Sequence, residues 1–365
     1  MLLLETLSTG DQLHFYQQSL VLNFSGKRKV LSTSPINGGY QENLQAVFNN
    51  DAKRGAGMAC EMKAPTYEEH MQIIARELGL NPATCAGLGT AASMENVAIV
   101  KEEFRGLTVT AIVTGGVEIN GGRVGDPATY WDWGPEGKAA QIKEGTINTI
   151  LVIDANLPAY TLVRALVTAT EAKTAALQEL MAGSCYSIGL ATGSGTDGTI
   201  VVSNAESSLT AKNAGKHSKL GELIGKAVKK AVQEALYKQT GLGPKQQHSV
   251  FARLKRYGLT EEKLWEAYLA LGGEKNKADY WAYLPSLDQR PGLLPLIIQL
   301  IHLLDELNWD LLEPQEVLQA GKNLLEEIRL FLALEEEVQL PEGCVQTALL
   351  EGLKEILAKG VKKDD

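Results

Sequence analysis

The chain changes grammar at the Gly-Leu-Gly-Pro run of residues 241–244, and that change constrains the fold more than any other feature of the sequence. Before it, short runs rich in Val, Ile and Thr alternate with longer amphipathic stretches; after it the pattern is helical almost throughout. Strands are predicted at residues 29–34, 107–114, 146–154 and 199–203, each bounded by Gly, Asn or Pro as buried or half-buried strands are. Helices are predicted between them at residues 67–78, 160–181 and 219–237. The second follows Pro158 and meets Gly183, residues that suit a helix start and stop. This alternation specifies a layered, mixed α/β domain over residues 1–243, with strand order left open. Residues 244–365 are expected to form a small all-α domain of open role, with helices at 260–271, 296–309, 314–334 and 344–359. There Leu311, Leu312, Val317, Leu318, Leu324, Leu325 and Ile328 recur at roughly helical spacing, as a buried stripe would. Trp265, Trp281 and Trp309 are expected to fill core or interface.

Composition narrows the class. A chain of 365 residues, 44% hydrophobic and 22% charged, has ample material for a core and suggests two or three domain-sized units. Its net charge of -9 gives no electrostatic drive toward nucleic acid or anionic lipid. Cys60, Cys85, Cys185 and Cys344 lie far apart without a Cys-x-x-Cys pair, which argues for reduced thiols rather than a metal knuckle. The N-terminus lacks a basic segment before its leucines, so no signal peptide is read. The most apolar later stretch, residues 293–307, is interrupted by Pro295 and carries Gln299, His302 and Asp305, too polar to span a bilayer. A soluble, cytoplasmic protein is expected, with association into homo-oligomers left open.

Polar and glycine-rich clusters mark where chemistry could sit. Asn37, Gly38 and Gly39 follow the first predicted strand, where glycines let backbone N–H groups approach a ligand or simply make a turn. Glu118, Asn120, Arg123 and Asp126 share one glycine-rich loop. Three threonines, Thr168, Thr170 and Thr174, interrupt an Ala/Leu-rich helix that also carries Glu171 and Lys173, against local propensity. At helical spacing Thr168, Glu171 and Gln178 share a face while Lys173 points elsewhere. Thr192, Gly193, Gly195, Thr196, Asp197 and Gly198 formally include Gly-x-Gly-x-x-Gly, but strand grammar follows, so a dinucleotide site is rejected. A hairpin presenting backbone amides and Asp197 to a polar ligand fits better. Among the five histidines, His217 alone, in Gly215-Lys216-His217, follows the glycine-rich loop at a predicted helix start, and histidine titrates near neutral pH. No Walker loop, His-Glu-x-x-His or Gly-x-Ser-x-Gly elbow is present.

In order, these clusters resemble the adenosylcobinamide amidohydrolase family from about residue 30 to residue 236. The resemblance runs through Gly116-Val117-Glu118, Gly125-Asp126-Pro127, residues 145–149, residues 168–180, Thr192-Gly193 to Asp197, and Gly215-Lys216-His217 with the residues 220–225 that follow. It implies hydrolysis of the amide joining (R)-1-amino-2-propanol to adenosylcobinamide, giving adenosylcobyric acid for corrinoid salvage. No cofactor is expected, since the corrinoid is the substrate, and no metal-ligand spacing is seen. The residues suggest His217, oriented by Asp197, as the base, with Glu171 and Glu118 as rival bases. Backbone amides at Gly38 and Gly39 or at Gly193 and Gly195 would hold the oxyanion. Asn37, Asn120 and Asn148, with Asp126, Thr170, Lys173, Thr192 and Thr196, would bind the corrinoid. Two other readings compete: a corrinoid-delivery module without catalysis, and an autoprocessing threonine hydrolase in which Thr146 becomes a new N-terminus.

Overall fold

The computed structural model describes residues 1–53, 62–128, 130–134 and 145–363. Its contacts divide into two compact units, Met1–Gly243 and Pro244–Asp365. The first holds thirteen strands among its described residues: β1 Leu2–Thr6, β2 Gln12–Tyr16, β3 Ser19–Asn23, β4 Arg28–Ser32, β5 Gly39–Gln41, β6 Ala46–Asp51, β7 Cys85–Thr90, β8 Ala98–Phe104, β9 Leu107–Gly115, β10 Gly121–Gly122, β11 Ile147–Ile153, β12 Gly193–Ser194 and β13 Gly198–Asn204. Its three long helices are α1 Tyr67–Glu77, α2 Ala159–Glu179 and α3 Lys219–Thr240.

Two sheets pack face to face. One runs β1-β2-β3-β6-β7, the other β5-β4-β13-β11-β9-β8. Leu13, Leu20, Leu22, Val47 and Leu88 from the first meet Val30, Ile112, Ile150, Val152, Ile200 and Val202 from the second in one buried cluster. Helix α1 covers the outer face of the first sheet, where Met71, Ile74 and Ala75 meet Val21, Phe48 and Cys85. Helices α2 and α3 cover the outer face of the second. The domain is therefore a four-layer α/β sandwich.

The layers explain the sequence pattern. All seven residues of β11 are buried, because Ile150 and Val152 face the other sheet while Ile147, Leu151 and Ile153 face the helices. A strand covered on both sides reads as a continuous apolar run, not as an alternation. Helix α2 buries Ala165, Ala169, Ala172 and Ala176, and α3 buries Ala227, Ala231 and Ala235. These small side chains let two helices lie close to each other and to the sheet. Ser218 caps α3, its hydroxyl accepting from the Gly221 N–H, and Gly241 ends the helix at φ 76°.

Buried polar groups are paired. Arg28 and Asp11, with side chains 1% and 0% exposed, form a double hydrogen bond at 2.9 and 2.7 Å. Between the sheets, the Asn49 amide donates to the Thr114 hydroxyl and the Asn148 amide donates to Asn49 Oδ1, both at 2.8 Å. Of the cysteines, Cys85, Cys185 and Cys344 are free, with burial pushing the Cys85 thiol up to about 11; Cys60 lies outside the described residues.

The second unit contains the short helices α4 Pro244–Gln247 and α5 Val250–Leu254, then α6 Glu261–Ala270, α7 Lys277–Asp288, α8 Leu293–Asn308, α9 Pro314–Phe331 and α10 Val345–Lys362. Pro295 falls in the first turn of α8, where its missing N–H is harmless, so the helix starts before the proline instead of after it. Asp305 on α8 is held by Arg256 at 2.7 Å and by the Tyr257 hydroxyl at 2.7 Å. Trp265, Tyr268 and Tyr280 cluster with ring centroids 4.7 to 5.6 Å apart. The stripe is narrower than its leucines suggest: on α9 Val317, Leu325 and Ile328 are buried and Leu318 and Leu324 half-buried, while Trp309 and Leu311, which precede the helix, are 46% and 63% exposed. Among the described residues no helix is long and apolar enough to cross a membrane.

One histidine of the α/β unit should contribute to its acid sensitivity just below neutral pH. His70 on α1 is buried, and its Nδ1 accepts the Lys63 N–H at 3.0 Å. Burial, and then the charge of Lys63, hold its pKa below the ordinary 6.5. The unfolded chain therefore takes up the proton first, so His70's contribution is complete above about pH 6.5 and is lost as pH falls from there. The urea midpoint of the wild type is expected to fall between about pH 7 and about pH 5, and that fall to flatten in His70→Asn. Parallel pH profiles for the two proteins would contradict this.

Candidate active site

A two-stranded ribbon forms the floor of the site. β10 and β12 pair antiparallel, Gly121 opposite Ser194 and Gly122 opposite Gly193. The turn after β12 carries Gly195 and Thr196 and returns through Asp197 into β13. The glycine-rich run thus joins two strands and opens no helix, as the rejection of a dinucleotide fingerprint required.

Asp197 holds the site together. Its Oδ1 accepts from the Ile147 N–H at 2.8 Å and from the Ser194 hydroxyl at 2.7 Å. Its Oδ2 accepts from the Ser194 N–H at 3.0 Å and from the ammonium of Lys173. The pair is largely enclosed, with side chains 15% and 11% exposed for Lys173 and Asp197. A Cβ at Gly193 would lie 2.3 Å from Asp197 Oδ2 and 2.7 Å from Lys173 Nζ, so only glycine lets the ion pair close over this strand.

Above the ribbon opens a cleft of about 840 Å³. Thr170, Lys173 and Thr174 line it from α2; Thr192, Gly193, Ser194, Gly195 and Thr196 line it from below; Asn120, Gly122, Arg123, Val124 and Asp126 line it from the β10 side. Tyr130, Trp131, Trp133 and Tyr186 give it an aromatic wall. The Tyr186 hydroxyl donates to Asn120 Oδ1 at 2.7 Å, and Asn120 Nδ2 donates to the Gly145 carbonyl at 3.0 Å. Asp126 closes its own turn, accepting from the Arg123 N–H at 3.0 Å and the Ser184 hydroxyl at 2.7 Å. Burial opposes its charge, but the hydroxyls of Ser184 and Ser187 with the N–H and charge of Arg123 prevail and hold the carboxyl below its usual range. Thr192 accepts the Val124 N–H at 2.9 Å, fixing the rim.

Of the residues expected from the sequence, Asn120, Asp126, Thr170, Lys173, Thr192, Gly193, Gly195 and Thr196 line this cleft, with Asp197 beneath them. The others lie elsewhere. His217 is exposed just before the cap of α3, does not line the cleft, and is not hydrogen-bonded to Asp197, whose roughly four lone-pair sites are all taken. Glu171 is exposed and pairs with Lys216 at 3.1 Å, and Glu118 is exposed outside the cleft. Asn37 donates to the carbonyls of Pro82 and Cys85, both at 2.7 Å, and so ties loops; Gly38 and Gly39 lead into the edge strand β5. Asn148 is 1% exposed and spent between the sheets, donating to Gly89 O and accepting from the Gly198 N–H, each at 3.0 Å.

The helical face also differs from expectation. Thr168 donates to Ala214 O at 2.7 Å and Gln178 to Ala191 O at 3.1 Å, so both latch neighbouring loops. Lys173, which points away from them, reaches the cleft together with Thr170 and Thr174. Ser194, Tyr186 and the aromatic wall were missed. The run Tyr130-Trp131-Asp132-Trp133 could have signalled them, since aromatics are only 6% of the chain. Among the described residues no three His, Cys, Asp or Glu side chains gather as a metal-binding group.

The four-layer α/β sandwich thus carries a polar cleft with an aromatic wall, of about 840 Å³. Residues 4–244 match the model of the adenosylcobinamide amidohydrolase family. The chain belongs to that family. It is 38% identical over 231 residues to an uncharacterised protein of Methanocaldococcus jannaschii, covering 61% of this chain and 87% of that one. It is 29% identical over 233 residues to the adenosylcobinamide amidohydrolase of Methanosarcina mazei, covering 62% and 97%. A solved structure, that of a protein from Pyrococcus horikoshii OT3, aligns with 66% of this chain and 85% of its own at TM-score 0.32 and 14% identity.

The two classes of asparagine separate experimentally. Asn148→Ala leaves the Gly198 N–H and the Asn49 amide oxygen short of partners, and should cost about 1–3 kcal/mol of stability, read as a lower urea midpoint. An unchanged midpoint would return Asn148 to the candidate site.

Proposed function

We propose that this chain hydrolyses the amide joining (R)-1-amino-2-propanol to adenosylcobinamide, releasing the amino alcohol and adenosylcobyric acid for re-use. Family membership supports the reaction class. The observation that carries the assignment to this cleft is the Lys173 ammonium, pinned by Asp197 and facing an aromatic-walled space of about 840 Å³. A corrinoid offers a broad apolar ring and peripheral amides. Tyr130, Trp131, Trp133 and Tyr186 supply flat apolar surface, while Thr170, Ser194 and Asn120 supply polar groups at its margin.

Amide hydrolysis requires negative charge to develop on the carbonyl oxygen and the leaving amine to be protonated. Lys173 favours the first by placing a fixed positive charge at the floor, in surroundings that exclude much of the water. Asp197 acts through it, as a positioning residue with no vacant lone pair. His217, exposed and outside the cleft, takes no part in this arrangement.

Purified protein incubated with adenosylcobinamide is expected to release aminopropanol, followed by mass spectrometry. Lys173→Met should lower kcat by about 10²–10³-fold, with a smaller change in KM, and His217→Ala should keep turnover. Binding without release would replace catalysis by a delivery role. Loss of turnover in His217→Ala would return the histidine to the mechanism.

A further inference from the structure

The peptide bond between Gly145 and Thr146 sits in surroundings that a structural turn does not need. The Gly145 carbonyl accepts two side-chain donors from separate elements, Asn120 Nδ2 at 3.0 Å and Thr196 Oγ1 at 3.1 Å. Asn120 is aimed by the Tyr186 hydroxyl, and both donors line the cleft. The next residue, Thr146, is 2% exposed, and its hydroxyl is anchored at 2.7 Å on the Thr196 carbonyl. Gly145 takes φ 117°, where a side chain would be strained and would also crowd Gly116 O and Asn120 Cβ at 3.1 and 3.2 Å. One carbonyl is thus held between two preorganised donors, with a hydroxyl on the residue directly after it.

From this we infer that the chain cleaves itself between Gly145 and Thr146 by an N-to-O acyl shift. Thr146 Oγ adds to the Gly145 carbonyl carbon, and Asn120 and Thr196 stabilise the oxyanion. The C–N bond then breaks, the hydroxyl proton passes to the departing Thr146 nitrogen, and an ester links Gly145 to Thr146 Oγ. Water hydrolyses the ester, giving a Gly145 carboxylate and a Thr146 that carries both a free hydroxyl and a free α-amine. The sum is one peptide bond plus one water, with no other reactant.

The inference extends to catalysis, and that part rests on the proposed function. With the Gly145 carbonyl released, Asn120 Nδ2 and Thr196 Oγ1 become donors for a substrate carbonyl at the same point. Thr146 is then an N-terminal nucleophile, its own α-amine taking the hydroxyl proton as it attacks the substrate amide. The amine leaves with a proton as aminopropanol, and water hydrolyses the resulting ester.

Self-cleavage can be read without substrate. Intact-mass measurement of the purified 39.4 kDa chain over time is expected to show two fragments, the second beginning at Thr146. Thr146→Val, which keeps the shape and packing but removes the hydroxyl, should stay whole, and Thr146→Ser should be cut. Asn120→Ala and Thr196→Val should each slow cleavage by about 10²-fold. A wild-type chain that stays whole while hydrolysing adenosylcobinamide overturns the inference and leaves the proposed function standing. A chain that is cut at Thr146 yet releases no aminopropanol supports self-cleavage and overturns the proposed function. Equal cutting of Thr146→Val would assign the cut to a contaminating protease and overturn the inference.

Discussion

Four donors converge on the carboxylate of Asp197, and the site depends on that convergence. They come from the first residue of the central strand β11, from both the backbone and the hydroxyl of Ser194 on the small ribbon, and from Lys173 on α2. These three residues belong to different parts of the sandwich, so a single side chain sets the distance between helix, sheet and ribbon. The cleft is the space that this junction holds open. Thr174 and Gln178 reinforce the same seam by donating to the carbonyls of Thr192 and Ala191. Helix α2 is therefore unusual in composition for two reasons: alanines pack its inner side, and hydroxyls and amides stitch it to loops.

Much of the fold was legible because its central elements are buried on both sides. The runs that became β9, β11 and β13 stand out because they are buried almost throughout, and the helices α1, α2 and α3 because each buries one apolar face against a sheet. The first sheet was largely missed. Its strands β1, β2 and β3 mix Leu with Gln, His, Glu and Ser, and short hairpin strands of that kind leave a weak periodic signal. In the site, the glycine-rich words were readable because close approach of backbone and side chain demands small residues, as Gly193 shows. Polar side chains were harder. Asn37 and Asn148 look like ligand donors until the structure shows loop carbonyls and a second sheet consuming their hydrogen bonds. His217 stands out in the sequence by its residue type and its place at a helix entry, yet its side chain is exposed outside the cleft, whereas Lys173, expected among the binding residues, reaches it.

The order of strands in the second sheet has a consequence for how the chain reaches this state. Strand β4, at Arg28–Ser32, is paired on one side with the short β5 and on the other with β13, at Gly198–Asn204. Strands β9 and β8 likewise attach to the sheet only through β11. On a ribosome, the apolar faces of β4, β8 and β9 emerge long before the two strands that join them exist. Such long-range pairings are slow to form and leave sheet edges open meanwhile. The nascent chain therefore carries unsatisfied sheet edges through most of the synthesis of its α/β unit. Its yield in a cell should depend on what shields those edges until residue 204 has left the exit tunnel.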